Sequence, residues 1–297
     1  MSSATQLRVA TAAILIPAVV ALIWWGPTLL VAAAASIVVI FALREFFTLG
    51  EQIGFRAYRS WTYLCALLIF VQHWCATRSP NIAHLDDDLY SRRIPQFSLE
   101  MVLVLFIIGA AIIALRSRRP LSEIFSSVSV SAAGLVVIAI PFSAIVRLHG
   151  AGAASNLARP QLGPQLLLFT LVIVWVGDSA AYFVGRNFGR KKMAPHLSPN
   201  KTWEGAAANF VGALLVAVLF AYWMKIEIPH MLAIAALGSI AGQIGDLFES
   251  AFKRSAGVKD SGTLLPGHGG MLDRIDALIL AAPAVWYYFQ WFIISKV

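Results

Sequence analysis

The chain has 297 residues, 59% of them hydrophobic and only 13% charged, about half the charged share of a soluble domain, which excludes a water-soluble globular fold. Its formal net charge of +8 is scattered between apolar runs and forms no basic stripe with interleaved aromatics, so nucleic acid is excluded as a partner; a Lys and Arg bias toward one membrane face accounts for it. Two cysteines, Cys65 and Cys75, support neither a disulfide framework nor a zinc site.

No charge occurs between Arg8 and Arg44. As one helix this run would be roughly 50 Å long, far more than a hydrocarbon core of about 30 Å. It must break, and Trp24-Trp25-Gly26-Pro27 combines interfacial aromatics with helix breakers. The first apolar stretch is too long, and too poorly preceded by positive charge, for a cleavable signal peptide. Further spans are expected at 60–77, 98–115, 124–146, 165–185, 203–224, 228–250 and 277–295, making about nine in an all-α polytopic membrane protein. The polar segment 78–97, with Asp86, Asp87 and Asp88, reads as a solvated loop. With a cytoplasmic N-terminus, sixteen of the 23 Lys and Arg fall on the cytoplasmic side, the direction required by the positive-inside rule. Loops 186–202 and 251–276 then share that face. The chain divides into a transmembrane scaffold, 1–160, and a region 161–297 in which the chemistry concentrates.

Asp178 ends the apolar run LLLFTLVIVWVGDSAAYFVG. A carboxylate inside a span costs on the order of 3 kcal/mol, so it points to function by default. Gln243, Asp246 and Ser250 share a helical face with Glu249 and Lys253 alongside; a structural network between helices is an equally open reading. The following segment supplies Lys253, Arg254, Lys259 and Asp260, then Pro266 to Gly270, then Asp273, Arg274 and Asp276. Gly-rich backbone and cations suit an oligophosphate, and Asp246 with Asp273 and Asp276 offers oxygen ligands for Mg²⁺. Neither GxxxxGK[ST] nor GxGxxG occurs. His268 has no obvious Ser or Cys partner and reads as a loop-shaping residue, with direct catalysis or phosphate contact as the second reading. The chemistry left is phosphoryl or nucleotidyl transfer.

The run SAFKRSAGVKDSGTLLPGHGGMLDRID, Ser250 to Asp276, closely resembles the signature of the phosphatidate cytidylyltransferases, or CDP-diacylglycerol synthases; WVGDSAAYFVGRNFG from Trp175 and SPNKTWEG from Ser198 resemble the family's other two motifs. The likeness covers about a third of the chain. It implies an integral membrane enzyme, by default of a bacterial inner membrane with a cytoplasmic site, converting CTP and phosphatidate to CDP-diacylglycerol and pyrophosphate with Mg²⁺. On that reading Asp246 and Asp273 are the leading metal ligands and Asp178 and Asp276 supplementary ones. Lys259 and Arg274 join Asp246 and Asp273 as catalytic residues. Ser198, Asn200, Lys201, Thr202, Lys253, Arg254, His268, Gly269 and Gly270 are candidate substrate contacts, with N-capping of the next helix as a second reading of Thr202. Membrane lipids are expected partners; a second cation and a homodimer stay open. The rivals are another lipid-linked CTP-dependent phosphotransferase, such as a polyprenol kinase, and a transporter, which repeat symmetry in both halves would have marked.

Overall fold

A computed structural model describes residues 3–78, 98–117, 119–154, 159–264 and 269–294. The Asp86 to Asp88 run and His268 lie outside the described residues. Helix α1 (Ser3–Trp25) stops at the expected break and α2 (Thr28–Gln52) follows Pro27, which lacks an N–H and so sits comfortably at a helix entry. Next come α3 (Arg59–Arg78) and α4 (Leu99–Arg116), the latter capped by Ser98, whose Oγ accepts the Met101 N–H at 3.3 Å.

A continuous helical run follows, made of α5 (Leu121–Ala133), a π-helical segment (Gly134–Ala139), α6 (Ile140–Phe142) and α7 (Ala144–Ala154). Pro141 provides the reason for the change of register: it has no N–H to donate and its ring crowds the preceding turn, so the i to i+4 ladder widens just before it. The C-terminal region consists of α8 (Leu162–Phe188), an antiparallel hairpin of β1 (Lys192–Ala194) and β2 (Ser198–Thr202), α9 (Trp203–Met224), α10 (Ile228–Ser255) and α11 (Leu272–Phe292).

Six helical stretches among the described residues are long and apolar enough to cross a membrane: α2, α4, the run Leu121–Gly152, α8, α9 and α10. The expectation was about nine. Helices α3 and α11 carry polar residues such as Gln72, His73 and Gln290. Large apolar side chains point outward along α4 and α9, including Ile107 at 64% exposure and Leu219 at 70%. A surface of that kind belongs against lipid, and the protein is an all-α integral membrane protein.

Two helix pairs, α8 with α9 and α10 with α11, pack most extensively. At Gly245 an added Cβ would lie 2.5 Å from the Asp276 carbonyl oxygen. Only glycine lets α10 and α11 approach there, and that approach brings Asp276 beside the turn that carries Asp246. Helix α2 reaches across to touch both α10 and α11.

Candidate active site

The run SPNKT is a strand because it pairs with Lys192–Ala194, in register Lys192 to Thr202 and Ala194 to Ser198. Thr202 ends the strand and starts α9: its extended backbone precedes the helix, and Oγ1 accepts the Gly205 N–H at 3.2 Å. This is the capping role of a Thr at that position. Glu204, in the first turn where a carboxylate is favoured, accepts the Lys191 N–H at 3.3 Å and ties the hairpin's other end down. Arg254, near the end of α10, donates to the carbonyls of Leu197 (3.0 Å) and Val258 (2.8 Å). It braces the hairpin against α10.

Between α8, the hairpin, α9 and α10 lies a cavity of about 620 Å³. Asp178, Tyr182 and Arg186 of α8, Lys192, Asn200, Lys201 and Thr202 of the hairpin, Asn209 of α9, and Gln243 and Asp246 of α10 line it. Lys201 Nζ stands 2.5 Å from Asp246 Oδ2. Asp178 Oδ1 accepts from Asn209 Nδ2 at 3.2 Å, and Asn209 Oδ1 accepts from Ser239 Oγ at 2.8 Å and from Gln243 Nε2 at 3.4 Å. Asp178, Asp246 and Asp276 repel one another electrostatically, with Lys201 and Arg274 as the opposing charges on Asp178. Asp178 and Asp246 thus share the cavity with three cations, Arg186, Lys192 and Lys201.

A second cluster adjoins the first along α10 and α11. Lys253 Nζ lies 2.6 Å from Glu249 Oε2, one turn back on α10, and 2.7 Å from Asp273 Oδ1 in the first turn of α11. Asp273 Oδ2 also accepts the N–H groups of Gly270 (2.8 Å) and Ser261 (3.1 Å). Burial alone would raise the Asp273 carboxyl. The Lys253 ammonium and the two N–H groups outweigh it and hold that carboxyl below the usual carboxylate range.

The expected site residues therefore fall into distinct places. Asp178, Asn200, Lys201, Thr202 and Asp246 line the cavity, with Asp276 in electrostatic contact. Asp273 and Lys253 pair with each other, and no Asp246–Asp273 contact accompanies them. Arg254 is given to backbone carbonyls, Lys259 and Arg274 are exposed, and Ser198 begins β2 outside the cavity lining. Gly269 takes a positive φ of 77°, and Gly270 is buried. No group of three His, Cys, Asp or Glu among the described residues has the geometry of a metal cage.

Reading the sequence missed Asn209 and Glu45. Asn209 is an amide inside an otherwise apolar helix, a signal that was available. Glu45 follows Arg44, where the charge-free run ends, and one charge beside another at a span boundary passes as topology.

Residues 6–292 match the cytidylyltransferase family. A phosphatidate cytidylyltransferase of Bacillus subtilis (strain 168) is 45% identical over 129 residues, 43% of this chain and 48% of the relative. One of Brucella suis biovar 1 (strain 1330) is 53% identical over 130 residues, covering 42% and 47%. One of Thermotoga maritima (strain ATCC 43589 / DSM 3109 / JCM 10099 / NBRC 100826 / MSB8) is 36% identical over 194 residues, covering 63% and 68%. The chain thus spans about half the length of the first two relatives and about two thirds of the third.

Proposed function

The chain belongs to the cytidylyltransferase family, and from that premise and the chemistry of the cavity we propose that it is a phosphatidate cytidylyltransferase, converting CTP and phosphatidate to CDP-diacylglycerol and pyrophosphate. The observation that carries the reading is the Lys201–Asp246 pair, 2.5 Å apart, inside a cavity that also holds Asp178, Arg186 and Lys192. Polyphosphate is the ligand that such cations and carboxylates suit jointly.

In the reaction a phosphatidate oxygen bonds to the α-phosphorus of CTP, the bridging bond between the α- and β-phosphates breaks, and pyrophosphate departs with that electron pair. A phosphate monoester loses its second proton near pH 6, so the attacking oxygen is already deprotonated and no general base is needed. The obstacle is repulsion between two anions. Lys201, Arg186 and Lys192 are the side chains whose charges lower it, and Asn200 and Thr202 frame the same wall of the cavity. Asp178, Asp246 and Asp276 offer only oxygen donors, and their mutual repulsion fits Mg²⁺, which needs one or two carboxylates beside substrate phosphates and water. When bound, the ion supplies further neutralisation of the phosphate charge. Asp273, whose oxygens are engaged by Lys253, Gly270 and Ser261, has the narrower task of holding Lys253 and the α11 start in place. We place the cavity on the cytoplasmic side of a bacterial inner membrane, the side to which the Lys and Arg distribution assigns the hairpin.

Labelled CTP tests the proposal. Purified protein reconstituted with phosphatidate and Mg²⁺ should move label from the α-phosphate of CTP into lipid and release γ-label as pyrophosphate. Transfer of γ-label to lipid identifies a kinase instead, and no transfer of either label contradicts the reading.

A further inference from the structure

We infer that Glu45, on α2 and far in sequence from the cavity, is a positioning residue for this reaction: it fastens the start of α11 to Ser261 and thereby sets where Asp273 and Arg274 stand. Glu45 is only 9% exposed. Its Oε1 accepts the Met271 N–H at 2.9 Å, and its Oε2 accepts the Leu272 N–H at 2.8 Å and the Ser261 hydroxyl at 2.8 Å. Asp273 Oδ2 takes the neighbouring N–H of Gly270 and the backbone N–H of the same Ser261. Two carboxylates, one from each half of the chain, therefore share three consecutive N–H groups, 270 to 272, and both donors of Ser261.

The chemistry suits the place. The first N–H groups of a helix have no partner within it, and a carboxylate there gains from charge-assisted hydrogen bonds and from the helix dipole. Gly270 is explained by the same contact: an added Cβ would run into Glu45 Oε2 and Ser261 Oγ. At Gly262 it would come 2.7 Å from Glu45 Oε1. Gly262 and Gly270 make room for a carboxylate of α2, whereas the sequence setting of Gly270 suggested close approach to phosphate.

The inference rests on the function proposed above, so its test has an arm independent of turnover. The full-length protein in phospholipid nanodiscs is compared with Glu45→Gln and Ser261→Ala. The amide nitrogen of Gln accepts nothing, so at least one of three donors loses its partner. Because α2 contributes nothing to the cavity lining, kcat should fall by roughly tenfold or more while KM for CTP changes less than about threefold and CTP-binding stoichiometry is kept. In hydrogen exchange, the Met271 and Leu272 amides should lose about tenfold protection while α8 and α9 keep theirs. Ser261→Ala retains the carboxylate and should give a smaller kcat loss with the same split, which carries the test where Glu45→Gln does not fold. Unchanged kcat and exchange, or a loss explained by fewer CTP-binding sites, overturns the inference. If the wild-type protein makes no CDP-diacylglycerol, the functional reading fails, and the exchange arm still decides whether Glu45 holds the start of α11.

Discussion

The Lys201–Asp246 pair is the contact on which the site turns, because it joins the hairpin to α10 at 2.5 Å and sets one ammonium against mutually repelling carboxylates. Lys201→Met keeps the apolar stem and removes the charge. We expect kcat/KM for CTP to fall about 100-fold, equivalent to ~2.7 kcal/mol of transition-state stabilisation, in steady-state assays of reconstituted protein; an unchanged value would show the ammonium idle. Asp273 makes a prediction about pH. Its carboxyl is held below its ordinary value, so its stabilising interaction is complete above the unfolded carboxylate pKa of about 4 and is lost as pH falls through the lower native value. Thermal midpoints of wild type and Asp273→Asn should differ at neutral pH and converge on acidification. Asp178 and Asp246 were legible in the sequence because a charge in an apolar run is conspicuous. Asn209 carries no charge, and its importance appears only when α8 and α10 bring Asp178, Ser239 and Gln243 to it from about 30 residues away on each side.

At the level of elements, apolar length and helix breakers carried most of the information. The span expected at 203–224 is helix Trp203–Met224, and Gly26-Pro27 separates α1 from α2. The hairpin was not legible, since Pro199, Asn200 and Lys201 are poor strand formers. Their extended state comes from pairing with Lys192–Ala194 and from the Arg254 brace, contacts that no local pattern announces. Removing the hydroxyl that joins hairpin to helix, in Thr202→Ala, should cost about 1 kcal/mol, read as a lower thermal midpoint. Gly245→Leu is expected to be harsher. Its side chain must occupy the space of the Asp276 carbonyl, forcing α10 and α11 apart at the carboxylates, and we expect a loss of several kcal/mol together with loss of turnover.

Across the whole molecule, the two halves differ in how openly they declare themselves. The C-terminal region shows its chemistry as charges among apolar residues. The N-terminal region reads as scaffold, yet α2 delivers Glu45 to Ser261, Met271 and Leu272, a tertiary contact over more than 200 residues that only the fold could reveal. The same scale decides orientation: a single cysteine at Pro199 in β2 should react with an impermeant maleimide in inverted inner-membrane vesicles and stay unlabelled in right-side-out ones, the reverse pattern placing the cavity on the other face. The most direct measurement of the central claim is CDP-diacylglycerol formation by Asp246→Asn, which keeps the size of the side chain and removes the charge that faces Lys201. In reconstituted protein that still binds CTP at wild-type stoichiometry, turnover should drop roughly 100-fold or more; turnover at the wild-type rate would contradict the assignment of this cavity as the site of cytidylyl transfer.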